Sequence, residues 1–156
     1  MNRGKSGISP VMATVILVAI AIVIAIAVAF WATGLVGVFT RFEKIEIIAA
    51  VYDTDNGDVE LLVRNTGSSP ATIDAVYVNG RPVTDYEIGQ SGDVVNPPRG
   101  ASSCNFYTTT ATCDPGEYAV VSVKGPDGTG WASGVTYEVA IHTASGKTYP
   151  VAVLIP

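Results

Sequence analysis

The chain is short of almost everything that chemistry at an active site requires. Its 156 residues include one histidine, His142, and two cysteines, Cys104 and Cys113. No Gly-x-Ser-x-Gly, His-Glu-x-x-His or phosphate-loop pattern occurs, so no nucleophile elbow, zinc helix or nucleotide cradle is written in it. No Asn-x-Ser/Thr sequon occurs, which excludes ordinary N-glycosylation. Charge is missing altogether from Ser6 to Thr40. Basic residues are scarce after that run. Two of the nine, Arg3 and Lys5, precede it, leaving seven against fourteen acidic side chains, or −7. A domain of that sign without a basic stretch repels phosphate backbones, so no nucleic-acid partner is expected.

What is present divides in two. Met1–Gly7 is short, polar and positive, and the apolar run Ile8–Phe39 follows it. About 20 apolar residues cross a bilayer, and this run is longer. Ile20–Ala29 alternates large and small residues with period two, which by itself suggests a strand. A lone strand in lipid leaves its backbone unpaired, whereas a helix pairs its own, so the environment decides for a helix over Pro10–Phe42. Pro10 suits the first turn. The helix is apolar all round, and Ala13, Ala21, Ala25, Ala29 and Gly34 are among the small residues that permit close helix contacts. Arg3 and Lys5 hold the N-terminus on the cytoplasmic side, so the rest faces out. Ala27-Val28-Ala29 resembles a signal-peptidase site, but the apolar stretch before it is too long for an h-region and the run continues past it.

Beyond Arg41, short β-rich runs alternate with turn residues. The expected strands are 44–52, 58–64, 72–78, 81–83, 117–124, 135–143 and 148–155, with turns at Asn56-Gly57, Thr66-Gly67, Asn79-Gly80, Asp127-Gly128 and Ser145-Gly146. Val135, Tyr137, Val139 and Ile141 are read as core, and Thr136, Glu138 and Ala140 as outward. Trp131 is read as core, and Trp31 as an aromatic at the membrane interface. Tyr86–Asp114 reads as a long loop covering a sheet edge or making surface contacts. The cysteine pair, in an exported chain, reads as one disulfide, Cys104–Cys113; the alternatives are two free thiols or half a metal site, and the second lacks further ligands. Asp53–Glu60 departs from the calcium-loop pattern in its glycine position and reads as a solvated hairpin tip. His142 reads as structural. Thr108, Thr109, Thr110 and Thr112 are candidate acceptors of O-linked sugars.

Arg3, Lys5, Gly7 and Ile8-Ser9-Pro10-Val11-Met12-Ala13-Thr14 resemble the class III signal segment of archaeal type IV pilins. Leu61–Ile73, Thr136–Val139 and Thr143–Lys147 are similar to β segments of archaeal pilins and archaellins. The resemblance implies an α+β fold, a long N-terminal apolar α-helix followed by an all-β Ig-like sandwich. It implies a leader at 1–7, cut between Gly7 and Ile8 by a prepilin peptidase, a helix at 8–42 and an outer domain at 43–156. It implies a non-enzymatic subunit without cofactor or metal. The precursor is held in the membrane, and the pilus machinery then builds a homopolymer through helix–helix packing at the cell surface, for adhesion. Met12 stands where bacterial pilins carry a glutamate, so subunit registration through that buried carboxylate is not available. The pilin-like start favours an adhesive pilus over a swimming filament. The alternative is a single-span anchored β-domain acting as a binding module. An enzyme is the third reading.

Overall fold

The computed structural model describes residues 9–126 and 129–156. The leader, with Arg3, Lys5 and the Gly7–Ile8 bond, lies outside the described residues, as do Asp127 and Gly128 of one expected turn. The chain divides into two compact units, Met1–Arg41 and Phe42–Pro156.

The first unit is a single helix, α1 (Ser9–Thr40), of 32 residues. It ends two residues before the expected Phe42. At ~1.5 Å per residue it is roughly 48 Å long. Neither end carries a charge that would favour the helix dipole.

The second unit is a β-sandwich. One sheet has the order β1 (Ile45–Asp53), β2 (Asp58–Asn65), β8 (Tyr118–Val123), β5 (Tyr86–Gly89). The other has β10 (Thr148–Leu154), β9 (Thr136–Thr143), β3 (Ala71–Val78), β7 (Thr110–Cys113) and β6 (Asn105–Tyr107), with β4 (Arg81–Val83) also on β3. The seven expected strands appear within about one residue of their expected ends. Three others, β5, β6 and β7, lie inside 86–114, so the expected long loop is corrected to a partly stranded excursion. Their composition hid them. Runs of only three or four residues carry little periodicity, and β7 exists because β3, distant in sequence, offers it a ladder.

The core forms where inward faces meet. Val59, Leu61 and Val63 of β2, with Val121 and Val123 of β8, oppose Ile73, Val76, Val139 and Ile141. Asn79-Gly80 links β3 to β4 with φ of 50° and 77°, the positive values that a two-residue hairpin turn demands. Two expectations on β9 are corrected. Val135 is 42% exposed because it precedes the strand, where the chain is still turning. Ala140 is only 5% exposed because Tyr77 and Pro150 pair on either side of it and overshadow its methyl.

The outer face of the first sheet is not free. Leu62 and Val120 point away from the core yet are buried, because Val95 of the excursion packs on them. This explains why β2 is buried almost continuously instead of alternating. On the second sheet the outward residues of β10 are open: Thr148, Pro150, Ala152 and Leu154 are all exposed.

Candidate functional site

Every side chain from Pro10 to Gly37 is exposed, and this stretch of 28 residues is apolar enough to cross a membrane. Its two hydroxyls need no outside partner. Thr14 Oγ1 donates to Val11 O at 2.8 Å, and Thr33 Oγ1 lies 2.9 Å from Ala29 O and 3.1 Å from Phe30 O. Each closes on its own backbone, so neither hydroxyl brings an unmet hydrogen bond into lipid or into a bundle.

Of the small residues expected to mediate contact, Ala21, Ala25 and Ala29 follow one another at intervals of four and form a row along the helix. At ~100° per residue, Ala13 lies roughly 80° round from Ala21, and Gly34 is on the other side from Ala29. Pro10 sits in the first turn. A Cβ added to Gly34 or Gly37 would meet nothing within 4 Å. Glycine in a helix interior costs about 1 kcal/mol against alanine. Neither glycine is therefore required by packing inside this chain. Trp31 and Phe30 stand fully outward near the distal half of the helix.

The disulfide is present. Cys104 and Cys113 are bonded, with Cα atoms 4.3 Å apart. They sit opposite each other at the base of the β6–β7 hairpin, one step beyond the Asn105–Thr112 pair. Closing so short a loop stabilises by about 2.5 kcal/mol in the chain-entropy view.

Three polar residues do structural work that the sequence reading missed. Asn65 is fully buried. Its Nδ2 donates to Ser69 O at 2.9 Å and Cys113 O at 2.8 Å, while its Oδ1 accepts from Gly67 N at 2.9 Å. It ties the β2–β3 turn to the disulfide hairpin. Gly67 must be glycine here, since a Cβ would fall 2.5 Å from Phe42 O.

Glu60 is the second. It is buried on the outer face of its sheet and accepts three backbone N–H groups, from Asp93 at 2.6 Å and from Val94 and Val95 at 2.8 Å each. A carboxylate so surrounded anchors the excursion to the sheet. Gly92 passes so close that any Cβ would strike the Glu60 carboxylate. The sequence signal was a lone charge inside the apolar run Val59–Val63.

Asp53 is the third. Buried, it accepts from Asp55 N at 2.9 Å and Asn56 Nδ2 at 3.0 Å. Asn56 also reaches Asp93. The expected solvated tip is thus corrected. Asp55 and Asn56 are exposed, but the flanking Asp53 and Glu60 are buried, because the excursion folds over them. Carboxylate oxygens of Asp53, Glu60 and Asp93 lie within 4.8 Å of one another, a spacing that could hold an oxygen-liganded cation. Nearby, burial raises the Asp58 carboxyl above the usual range, Lys124 opposes this, and Asp53, Asp85 and Glu60 add to it.

His142 Nδ1 lies 2.6 Å from Asp74 Oδ1, and its ring meets Tyr77 edge-on, which agrees with a structural reading. Trp131 packs against the core and stands edge-on to Tyr137 at 5.0 Å, as expected. Thr108 and Thr109 are exposed at the tip of the disulfide hairpin.

The architecture is therefore that of an α+β protein in two parts, an apolar helix and a β-sandwich. Among solved structures the chain is similar to the archaellum periplasmic stator protein FlaG from Sulfolobus acidocaldarius, at 16% identity over 72% of this chain and 100% of that one, with a TM-score of 0.46. It is also similar to the archaeal flagellum of Methanospirillum hungatei, at 15% identity over 96% and 93%, TM-score 0.42. A flagellar-like filament matches at 15% identity over 94% and 98%, TM-score 0.40. No family model matches the chain, and no curated protein matches it by sequence.

Proposed function

We propose that this chain is the structural subunit of an extracellular type IV pilus-like filament, adhesive and non-enzymatic, that polymerises through α1. The single observation that carries the reading is the helix. From Pro10 to Gly37 it is apolar on every side and exposed, and the two hydroxyls of that stretch bond to its own backbone. A bilayer accounts for only ~30 Å of it. The remaining length, and glycines that nothing inside the chain requires, are accounted for by neighbouring helices in a filament core. The precursor waits in the membrane with its sandwich outside. A prepilin peptidase cuts between Gly7 and Ile8, and the assembly machinery moves the helix from lipid to polymer. Pro10, Ala13, Ala21, Ala25, Ala29 and Gly34 lie in that polymer core.

The test is made on sheared surface material. Filaments seen by negative stain should contain this chain, with an intact mass beginning at Ile8. Ala25→Leu should insert normally and lower filament recovery at least tenfold, because it overpacks a close helix contact. Filaments carrying Met1 would overturn the processing step. A surface protein that never forms filaments, with Ala25→Leu indistinguishable from parent, would make the chain a single-span anchored binding domain instead.

A further inference from the structure

The sandwich has two uncharged flanks, one with a groove and the other with a projecting aromatic side chain. The strands β1 and β10 each end a sheet, and they run side by side without pairing. At one end this seam is closed: Lys147 Nζ donates to Glu43 O at 2.9 Å, and Tyr149 O–H reaches the same oxygen at 3.4 Å. At the other end it opens into a groove of about 340 Å³ lined by Ala50, Val51, Tyr52, Ala152, Val153 and Leu154. Leu154 is 64% exposed at its rim.

The backbone of the seam is also open. The bonds Thr143 N–H to Lys147 O and Ile155 N–H to Val135 O fix the register of β10, so its odd residues face β9 and Ala152 and Leu154 face outward. By the same alternation, Asn65 N–H to Glu117 O turns the odd residues of β2 toward β8. Glu60 and Leu62 then pair with Val51 and Ala49, and Ala50 and Tyr52 face outward. Pro150 removes the outward donor only near the closed end. Ala152 and Leu154 carry no such guard against strand addition.

The opposite edge of the second sheet is β6, in the hairpin clamped by Cys104–Cys113. Its Tyr107 stands 68% exposed. From Cys104 to Cys113 there is no charged residue, and the same is true of Ile47–Tyr52 and Thr148–Pro156. In a domain with fourteen acidic side chains, these are the sides through which two copies approach without opposing like charges.

We infer that, within the filament proposed above, the β6–β7 hairpin of one copy docks on the β1/β10 seam of the next, with Tyr107 in the groove. The row of Tyr107 runs through Thr110 across the sheet and reaches β10 near Thr148. The groove lies four to six residues further along, roughly 14–20 Å at ~3.4 Å per residue. Docking therefore requires an offset along the strands. A contact between two different surfaces with such an offset does not close into a ring but continues as a helix. A flank seven residues long and ~10 Å deep offers roughly 230 Å² per copy, against about 800 Å² for a stable pair. Free domains do not associate through it. A second copy already tethered by α1 does, since tethering makes the contact effectively intramolecular.

The experiment uses the full-length chain in assembled filaments. Tyr107→Cys and Leu154→Cys are combined, and a short bismaleimide is added to sheared filaments. The double variant should give a ladder of covalent oligomers, each single variant should stay monomeric, and the two singles co-assembled should stop at dimers. Filaments of normal appearance that yield no oligomers would overturn the contact. If the double variant does not assemble, hydrogen exchange on the parent decides: the Ala152 and Leu154 amides should exchange at least tenfold more slowly in filaments than in detergent-solubilised subunits, and equal rates refute the docking. Absence of filaments from the parent is a different failure, that of the pilus reading, and it removes this contact with it.

Discussion

The helix and the sandwich satisfy the same physical demands by opposite routes. In α1 the backbone groups between its end turns find their partners four residues away, and none of the described side chains from Pro10 to Gly37 is buried. In the sandwich the partners are distant. Thr72 meets Thr112 at 3.1 Å, and Asn65 holds the Cys113 carbonyl. The sandwich supplies its own apolar interior, its own clamp and a cover for one outer face. The helix supplies none of these, and on the function proposed above its environment is first lipid and then other helices. A lesion in the helix should therefore be felt in insertion and assembly, and a lesion in the sandwich in stability.

The largest effect expected on this comparison comes from Ala25→Asp. An unpaired carboxylate among apolar helices costs several kcal/mol in every subunit, and a bilayer centre penalises it by about 2.5–3.5 kcal/mol. Filament recovery should fall at least a hundredfold, while the sandwich of the same variant in detergent melts within about 2 °C of parent. Membrane fractionation separates failed insertion from failed assembly. A matching loss of sandwich stability would break the comparison.

Asn65→Ala attacks the other side. It takes the side-chain donor from the Ser69 and Cys113 carbonyls and leaves the Gly67 N–H only its 3.2 Å bond to Lys44 O, which should cost about 3 kcal/mol and lower the melting midpoint by roughly 10 °C. Membrane insertion should be unchanged, as measured by the fraction of chain resisting alkaline extraction.

A smaller effect is expected from Glu60→Gln. An amide offers one acceptor oxygen where the carboxylate offered two, so the three N–H groups of 93–95 can no longer all be met. Stability should fall by about 1–2 kcal/mol. The sharper readout is local: hydrogen exchange at Asp93, Val94 and Val95 should rise at least tenfold, with the β2 and β8 core amides far less affected. Uniform acceleration across the sandwich would mean that the excursion is not a separable layer.

Asp58→Asn gives the smallest shift. Burial first, then the neighbouring Asp53, Asp85 and Glu60, raise the folded-state carboxyl above its ordinary 3.8, against the pull of Lys124. A raised acid holds its proton more tightly when folded. Its contribution to stability is thus fully present below the unfolded value and lost as the pH rises through the folded one. The asparagine variant should melt about 1 °C higher at neutral pH, and that gain should vanish on acidification below the unfolded value. A gain that grows on acidification would reverse the sign.

Much of this architecture was legible in residue order, for reasons that differ by region. The helix was legible because lipid leaves the backbone one choice, which overrides the β-like alternation of Ile20–Ala29. The Asn79-Gly80 turn was legible because few residues tolerate the two positive φ values it shows. The disulfide was legible from two cysteines close in sequence and the exported setting expected of the chain. Val135 was misassigned because alternation alone does not mark where a strand begins. The short strands β5 and β7 were invisible because each takes its ladder from a strand distant in sequence, and β6 because it is three residues that pair only with β7.

The sequence by itself determined the division of the chain, the apolar helix and most strands. These follow from interactions between near neighbours and from the solvent each segment must face. Only the tertiary structure decided that Glu60 is an anchor and not a surface charge, that Asn65 joins a turn to a clamp, and that Asp93 comes to Asp53. It alone put an uncharged groove and an uncharged hairpin on opposite edges of one sandwich. Those facts depend on pairings between residues tens of positions apart, and burial of a polar group is set by what the rest of the chain lays over it.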